Sequence, residues 1–191
     1  MKPKTAKFIL EKVLGWTGVQ NKPEEPKCII MGVPHTSILD FVITFFYYRS
    51  LGGHPKVLIK AKFFVGPLGW LLRRCGALPL KNDKGAAAVL EMVHAFEKYP
   101  EIQFCFAPEG TRAAVKRWKT GFHTIAKAAN VPVYLGYFDY KHKVISCGER
   151  FELTDDAHAD MIRMQKEYKK LPIYGYHPER IAFMDEVENQ Q

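Results

Sequence analysis

The residues of this chain that are best suited to chemistry are a histidine and an aspartate, His35 and Asp40, in the stretch "GVPHTSILDF". A carboxylate beside an imidazole fixes the tautomer of the ring and stabilises its charged form. The other ring nitrogen can then take a proton from a hydroxyl or an amine. The pair is therefore a candidate general base with its orienting partner.

The same stretch has a purely structural explanation, because "Ser-x-x-Asp" ahead of an apolar segment is typical of a helix N-terminus. Ser37 would accept a hydrogen bond from an amide that the helix leaves unpaired, and Asp40 would complement the helix dipole. A carboxylate has about four lone-pair positions, so Asp40 can serve the helix and His35 together. The two interpretations are compatible, and this stretch alone does not choose between them.

A second motif, "APEGTR" at residues 107–112, combines types of residue that hold a substrate. Its glycine lets the backbone approach a ligand, and Thr111 supplies a hydroxyl. Glu109 and Arg112 add a carboxylate and a guanidinium, which suits an anionic, hydroxylated substrate. Taken alone, the motif is also explained as a turn with a surface ion pair.

Two apolar segments must position these motifs, "CIIMGV" before the first and "IQFCF" before the second. Both are predicted strands, and Pro34 disfavours a helical backbone at Val33. Strands alternate with helices along most of the chain, which predicts an α/β domain with a largely parallel central sheet flanked by helices. Ligands gather beyond the carboxyl ends of such strands, where both motifs lie.

Further elements follow from periodicity and capping signals. We expect "VPVYLGYFDY" and "KVISCGERFEL" to be two strands that form a hairpin around Lys141. Asn82 or Asp83 is predicted to cap a helix at 84–98, and Thr154 or Asp155 a helix that runs through Tyr168. The remaining predicted elements are a helix in "SILDFVITFFYYRSL", a strand in "PKVLIKA", a helix in "GPLGWLLRRCG", an extended "ALPL", a helix at 118–129 and a frayed "ENQQ" end.

Length and composition predict a single domain. The chain has 191 residues, 47% of them hydrophobic, which suffices for one well-buried core and is short for two. We expect an amphipathic helix in residues 1–20 and the main domain at 21–191. The N-terminal helix has two open interpretations, packing on the domain or lying as an anchor in a membrane interface.

The charge and the cysteines limit the partners and the compartment. A net charge of +8 favours an anionic partner, whether nucleic acid, anionic lipid, coenzyme A or an acidic carrier protein. Cys28, Cys75, Cys105 and Cys147 have no metal-ligand spacing, so we expect buried free thiols in a reducing compartment. Charged residues interrupt the apolar runs before a signal peptide or a span of ~20 residues can form. We therefore expect a cytoplasmic protein, bound at most to the surface of a membrane.

At this point the sequence resembles the glycerolipid acyltransferase family, whose best-known members are the 1-acylglycerol-3-phosphate acyltransferases. Four blocks carry the resemblance between about Cys28 and Tyr168. "PHTSILD" is similar to the family's Asn-His-x-x-x-x-Asp block, and "FAPEGTR" to its Phe-Pro-Glu-Gly-Thr-Arg block. "KAKFFVGPLGWLLRRCGALPLKND" and "VPVYLGY" resemble the second and fourth blocks.

The resemblance implies transfer of an acyl group from acyl-coenzyme A or an acyl carrier protein to a hydroxyl of a lipid acceptor. His35 is then the base and Asp40 its partner, with no metal, no cofactor beyond the thioester co-substrate, and no acyl-enzyme. "FVITFFYY" and "FFVGPLGWLL" supply more apolar surface than a small core requires, and with a basic rim they predict a peripheral enzyme at the inner face of the membrane. The pathway that the resemblance implies is phospholipid biosynthesis. The residues implied to bind substrate are Glu109, Gly110, Thr111 and Arg112, with Lys60 and Lys119 as further candidates.

Two positions depart from the family pattern. Pro34 replaces the asparagine that often precedes the histidine, and it leaves the pair intact. Asn82 stands where phosphate-acceptor enzymes often have an arginine. Lys81 or Lys84 can supply a point charge there but not the two-pronged contact of a guanidinium. The identity of the acceptor therefore stays open between a lysophospholipid and an acyloxyacyl or amino-acid lipid.

Three alternatives compete with acyl transfer. A serine hydrolase built on Ser37 lacks the Gly-x-Ser-x-Gly elbow. A lipid-binding protein with a degenerate acyltransferase fold would not need the intact pair. A nucleic-acid-binding module has only the charge in its favour, so we expect no nucleic-acid partner.

Overall fold

The computed structural model describes residues 1–54, 56–81 and 85–188. Within these ranges the strands are β1 Thr17–Val19, β2 Lys27–Met31, β3 Lys56–Lys60, β4 Ala77–Leu80, β5 Ile102–Phe106, β6 Val133–Tyr134, β7 Tyr137–Asp139, β8 Val144–Ser146 and β9 Arg150–Phe151. The α-helices are α1 Pro3–Phe8, α2 Leu39–Ser50, α3 Gly66–Arg74, α4 Gly85–Lys98, α5 Gly121–Ala129, α6 Ala157–Lys170 and α7 Asp185–Glu188.

A six-stranded sheet with the order β4-β3-β5-β2-β6-β9 forms the centre of the domain. All neighbours from β4 to β6 run parallel, and only β9 is antiparallel to its neighbour. This confirms the predicted α/β domain with a mostly parallel sheet. The two strands that precede the chemical motifs are direct neighbours, with Met31 opposite Phe106, so both motifs leave the same edge of the sheet.

Both faces of the sheet are covered, as the apolar composition of its strands requires. Alternate side chains of β2 point to opposite faces. Ile29 and Met31 belong to the larger core, and Cys28 and Ile30 to the smaller one. The larger core also contains Phe96, Ile102, Phe104, Phe122, Ile125, Val133, Met161, Met164 and Tyr168. The smaller contains Leu10, Trp16, Ile43, Tyr47, Tyr48, Phe138, Ile145 and Cys147.

The two long strands predicted near the C-terminus are each broken in two, which corrects the sequence prediction. β7 and β8 do form the predicted hairpin, but with β1 they make a separate three-stranded sheet, whereas β6 and β9 belong to the central sheet. The break in the first strand falls at Gly136, where a Cβ atom would lie 2.4 Å from the carbonyl oxygen of Met31. Only glycine permits this close passage from one sheet to the other.

The N-terminal helix is shorter than predicted. α1 continues as a π-helical turn over Ile9–Val13, and the helix ends before Gly15, whose φ of +71° is left-handed. Residues 17–19, predicted as helix, are instead β1, which pairs with β8. Leu10 and Trp16 are buried against α2 and the small sheet, so this segment packs on the domain.

The cap of α6 is also different from the predicted one. Asp156 has the extended backbone of a capping residue, and its carboxylate accepts the amides of His158 and Ala159, both at 2.9 Å. Thr154 instead donates its hydroxyl to Asp160. The predicted α4 caps, Asn82 and Asp83, and the end of "ENQQ" lie outside the described residues.

All four cysteines are free thiols, as predicted. Cys28 and Cys147 are buried, and Cys75 and Cys105 are partly buried. Burial raises the pKa of Cys147 to about 11 and that of Cys105 to about 12, which keeps both protonated at neutral pH. Over the part of the chain that the structure describes, no helix has the length and apolar character to cross a bilayer.

Candidate active site

His35 and Glu109 meet at the carboxyl edge of the central sheet. The chain leaves β2 through the cis Val33–Pro34 peptide. It then enters the loop of residues 34–38, which carries His35 and which we call the histidine loop. The loop after β5 carries Glu109, whose Oε1 accepts the backbone N–H of His35 at 2.9 Å. Residues 74 positions apart are thereby joined, because parallel neighbours end at the same edge.

Asp40 binds the histidine ring and the start of α2 at the same time. Its Oδ2 lies 2.9 Å from Nδ1 of His35 and accepts the backbone amides of Thr36 and Ser37, each at 3.0 Å. The Ser37 hydroxyl accepts the amide of Leu39 at 3.2 Å, the first residue of α2. One buried carboxylate therefore makes the predicted histidine contact and also holds the start of α2. The N-cap of α2 is Ile38, one residue after the predicted Ser37, and no side chain caps it.

Tyr140 is a member of this network that sequence analysis missed. Its hydroxyl donates to Oδ1 of Asp40 at 2.5 Å, the carboxylate oxygen that His35 does not use. Burial, and then the hydrogen bond to Asp40, raise the pKa of Tyr140, so the hydroxyl remains a donor. Its ring packs edge-on against Trp16 and Tyr176 at 4.7 and 5.6 Å. The sequence feature that could have indicated this contact is the position of Tyr140 directly after β7. The first residue of β7, Tyr137, bridges Val33, which precedes the histidine loop.

A C-terminal segment holds the loop from the other side. The guanidinium of Arg180 donates to the carbonyl of Thr36 at 3.3 Å. The backbone amide of His177 donates to the hydroxyl of Thr36, also at 3.3 Å. A Cβ atom on Gly175 would lie 2.8 Å from that hydroxyl, so the approach requires glycine. No sequence motif indicated these contacts, because they join residues more than 140 positions apart.

Glu109 is directed beneath the histidine loop. Its Oε2 is buried and has no hydrogen-bond partner among the residues that the structure describes. Burial raises the pKa of Glu109 to about 7, although the amides of His35 and of Glu109 itself act in the opposite direction. The side chain thus supports His35 from below, whereas the next three residues of the motif face the clefts around the histidine.

The histidine side chain is 31% exposed and lines two clefts. The first cleft, of about 610 Å³, lies between α4 and α5 and has a mainly apolar wall. The second cleft, of about 680 Å³, lies between the histidine loop and α3. The first is lined by Lys60, Leu80, Val89, Met92, Phe106, Gly110, Lys119 and Ile125, among others, and the second by Ile38, Lys60, Phe63, Leu68, Leu72, Gly110, Thr111 and Arg112, among others.

The structure therefore brings most of the predicted binding residues together around His35. Gly110 has a φ of +65°, and a Cβ atom there would lie 2.6 Å from Nζ of Lys119, so the lysine chain covers the turn. The amide of Lys119 also donates to the carbonyl of Pro108 at 2.7 Å. Lys60 lines both clefts from the end of β3.

This geometry fixes the orientation of the histidine ring. A carboxylate only accepts hydrogen bonds, so the contact with Asp40 assigns the hydrogen to Nδ1 of His35 and leaves Nε2 to accept a proton. The Ser37 hydroxyl lies at the start of α2, where it accepts the amide of Leu39. A substrate hydroxyl in either cleft is the group that such a base can activate.

The fold and the site together define an α/β domain with a partly exposed histidine, paired with a buried aspartate, at the carboxyl edge of a parallel sheet. A family model described as Acyltransferase matches residues 14–135, well over half of the chain. The chain therefore belongs to the acyltransferase family, that of the glycerolipid acyltransferases. Among curated proteins and solved structures, nothing matches it.

Proposed function

We propose that the protein transfers a fatty acyl group from acyl-coenzyme A or an acyl carrier protein to a hydroxyl of a lipid acceptor, with His35 as general base. The observation that carries the proposal is the 2.9 Å contact between Nδ1 of His35 and Asp40, at a ring that lines two clefts. Two clefts that meet at a base suit a reaction of two substrates, one of them carrying an acyl chain.

In the proposed reaction, Nε2 of His35 removes the proton from the acceptor hydroxyl as its oxygen attacks the thioester carbonyl. The tetrahedral intermediate collapses when the carbon–sulfur bond breaks, and the thiolate takes the proton from Nε2. An ester and a free thiol result, and His35 returns to its starting form. Asp40 stabilises the positive ring during the transfer, as in other histidine-based acyl transfers.

We propose that Gly110, Thr111 and Arg112 contact the acceptor, because they line the second cleft beside His35. Arg112 would pair with a phosphate or another anionic group, since its planar fork matches two oxygens. Lys60 and Lys119 add positive charge along the first cleft. Glu109 would act on the acceptor indirectly, through the histidine loop that it binds.

The preferred acceptor is a lysophospholipid such as a 1-acylglycerol-3-phosphate, and the pathway would be phospholipid biosynthesis. We propose a cytoplasmic enzyme attached peripherally to the inner face of the membrane, where both the lipid and the thioester are available. The net charge of +8 favours this anionic surface. The thioester is a co-substrate, and the proposed reaction requires no metal or other cofactor.

The test is an assay of the purified full chain with lysophospholipid and either thioester donor. Wild-type protein should release free thiol and form the diacyl lipid, and His35→Ala should lower turnover by at least about 100-fold. The matched control is His142→Ala, because His142 also pairs with a carboxylate, Asp139, at 2.6 Å but lines neither cleft. Full activity in the His35 variant would overturn the mechanism. Lipid binding without turnover in wild-type protein would favour the degenerate lipid-binding alternative.

A further inference from the structure

The turn before α3 and the helix itself expose large apolar side chains beside the second cleft. These are Phe63, Val65, Leu68, Trp70 and Leu71, which we call the docking face. Val65 and Trp70 are the most exposed, at 67% and 63%. A concentration of such side chains within nine residues marks an interaction surface, because each is costly to leave in water.

Positive charges lie at the two ends of this segment. Residues 63–72, "FFVGPLGWLL", have no charged side chain, whereas Lys62 precedes them and Arg73 and Arg74 follow. The ammonium of Lys62 is 5.3 Å from the ring centroid of Phe63, and the guanidinium of Arg74 is 5.7 Å from that of Trp70. An apolar row bordered by cations is typical of a helix that lies in a bilayer interface.

A basic cleft of about 630 Å³ continues this charge at the C-terminal end of α3. It is lined by Arg49, His54, Lys56, Arg73 and Arg74, among others. Partial burial, and then the charges of Arg49 and Lys56, lower the pKa of His54. The charge of this cleft is complementary to that of anionic lipid headgroups.

The docking face is continuous with the second cleft. Phe63 and Leu68 belong to the docking face and also line that cleft, which His35 lines as well. Ile38, on the histidine loop, is 65% exposed and lines the cleft too. A lipid at the level of α3 therefore has an apolar path to His35.

We propose that the docking face inserts into the surface of an anionic bilayer and that the second cleft opens toward that surface. The use given to the cleft rests on the proposed function, whereas the insertion itself does not require catalysis. A bilayer fits the docking face better than an acidic carrier protein, because the centre of the segment is uncharged and exposes Val65 and Trp70. An acidic carrier protein would bind this protein chiefly through pairs of opposite charges.

Tryptophan fluorescence offers a direct test, because Trp16 and Trp118 are buried and Trp70 is exposed. The His35→Ala protein is mixed with phosphatidylcholine vesicles with and without phosphatidylglycerol. Its emission should shift to shorter wavelength, and lipids with brominated acyl chains should quench it, more strongly when phosphatidylglycerol is present. Trp70→Phe should lose the quenching and still sediment with the vesicles.

Paired variants separate α3 from the N-terminal helix. Val65→Ser with Leu71→Ser, which we call the α3 pair, should weaken vesicle binding by at least about tenfold, since less apolar surface is transferred. Both residues are exposed, and neither lines a cleft at His35. Phe8→Ser with Val13→Ser, at exposed positions near α1, is the matched control and should bind like the wild type. The proposal is overturned if the control pair alone abolishes binding. It is also overturned if Trp70 responds to a carrier protein and to no vesicle.

An activity assay distinguishes this proposal from the proposed function. The α3 pair should retain transfer to a detergent-dispersed lysophospholipid and lose transfer to the same lipid in vesicles. A wild-type protein that transfers no acyl group to either form would defeat the proposed function, and the quenching result would stand independently. If the α3 pair and the wild type were equally active on vesicles, the inference that the second cleft opens toward the membrane surface would be wrong.

Discussion

The hydroxyl of Tyr140 donates to the oxygen of Asp40 that faces away from His35, at 2.5 Å. The other oxygen receives His35 and two backbone amides. Four donors thus converge on one carboxylate, and the position of the histidine ring depends on all of them. This arrangement makes Tyr140 a positioning residue rather than one that touches the substrate.

Tyr140→Phe is expected to lower kcat about tenfold with little change in KM, because it removes one charge-assisted hydrogen bond from the partner of the base. Steady-state kinetics with the thioester and the acceptor varied separately would measure the split. Tyr134→Phe is the matched control, since its hydroxyl also donates to a carboxylate, Glu25, at 2.7 Å and away from His35. An equal loss of kcat in both variants would indicate a general effect on folding.

Substitutions at Ser37 and Asp40 distinguish the hydrogen bonds at the start of α2 from the contact with His35. Ser37→Ala removes the hydroxyl that accepts the Leu39 amide, so the free energy of unfolding should fall by about 1 kcal/mol while turnover is retained. Asp40→Asn should lower kcat by about 100-fold or more, because it removes the carboxylate that orients and stabilises the ring. Urea unfolding and activity would be measured on the same preparations. Loss of turnover in Ser37→Ala would instead support a hydrolase-type serine.

Glu109 is expected to make stability fall as pH rises through the weakly acidic range. The pKa of Glu109 is about 7 in the folded protein and 4.5 when the group is exposed. Between these values the folded state binds more protons than the unfolded state, so the free energy of unfolding decreases from about pH 4.5 to about pH 7. Glu109→Gln should remove this decrease in urea unfolding measured across that range.

The control for this experiment is Glu25→Gln. The hydroxyl of Tyr134 lowers the pKa of Glu25, so its contribution has the opposite sign and is lost as pH falls. Substitution of Glu25 should therefore reduce stability mainly at neutral pH. A decrease with rising pH that survives in Glu109→Gln would assign it to another group.

Arg112→Ala is expected to raise the KM for an anionic acceptor about tenfold and to leave kcat nearly unchanged, because a charge-assisted contact made in both ground and transition states is lost. Arg112→Lys should recover only part of the affinity, since an ammonium lacks the two-pronged geometry. A neutral monoacylglycerol serves as the control acceptor. An unchanged KM for the phosphorylated acceptor would refute the role given to Arg112.

Much of the architecture could be predicted from the sequence, because apolar periodicity and turn residues act locally. "CIIMGV" and "IQFCF" gave the two central strands, and their parallel arrangement was enough to expect His35 and Glu109 at one edge. The broken strands were not predictable, since the passage of Gly136 beside Met31 depends on a neighbour far away in sequence. The early end of the N-terminal helix depended on pairing between β1 and β8.

The contacts of the candidate site could be predicted at its centre and not at its periphery. His35 and Asp40 share one turn of chain, so their spacing reveals their contact. Tyr140 lies 100 positions from its partner Asp40, and Arg180 lies 144 positions from its partner Thr36. No local sequence pattern indicates either contact. The direction of Glu109 was equally invisible, because a turn motif does not specify which of its side chains faces inward.

The residues that hold the histidine loop have a consequence for fragments of this protein. The match to the family ends at residue 135, and Tyr140, His177 and Arg180 all lie beyond it. A chain cut at that point would retain every predicted catalytic and binding residue and still leave Asp40 without the hydrogen bond from Tyr140 and Thr36 without those from His177 and Arg180. The motifs alone therefore do not show where this enzyme can be shortened. We expect the chain to turn over substrate only after residues 140–180 have packed against the histidine loop and Asp40.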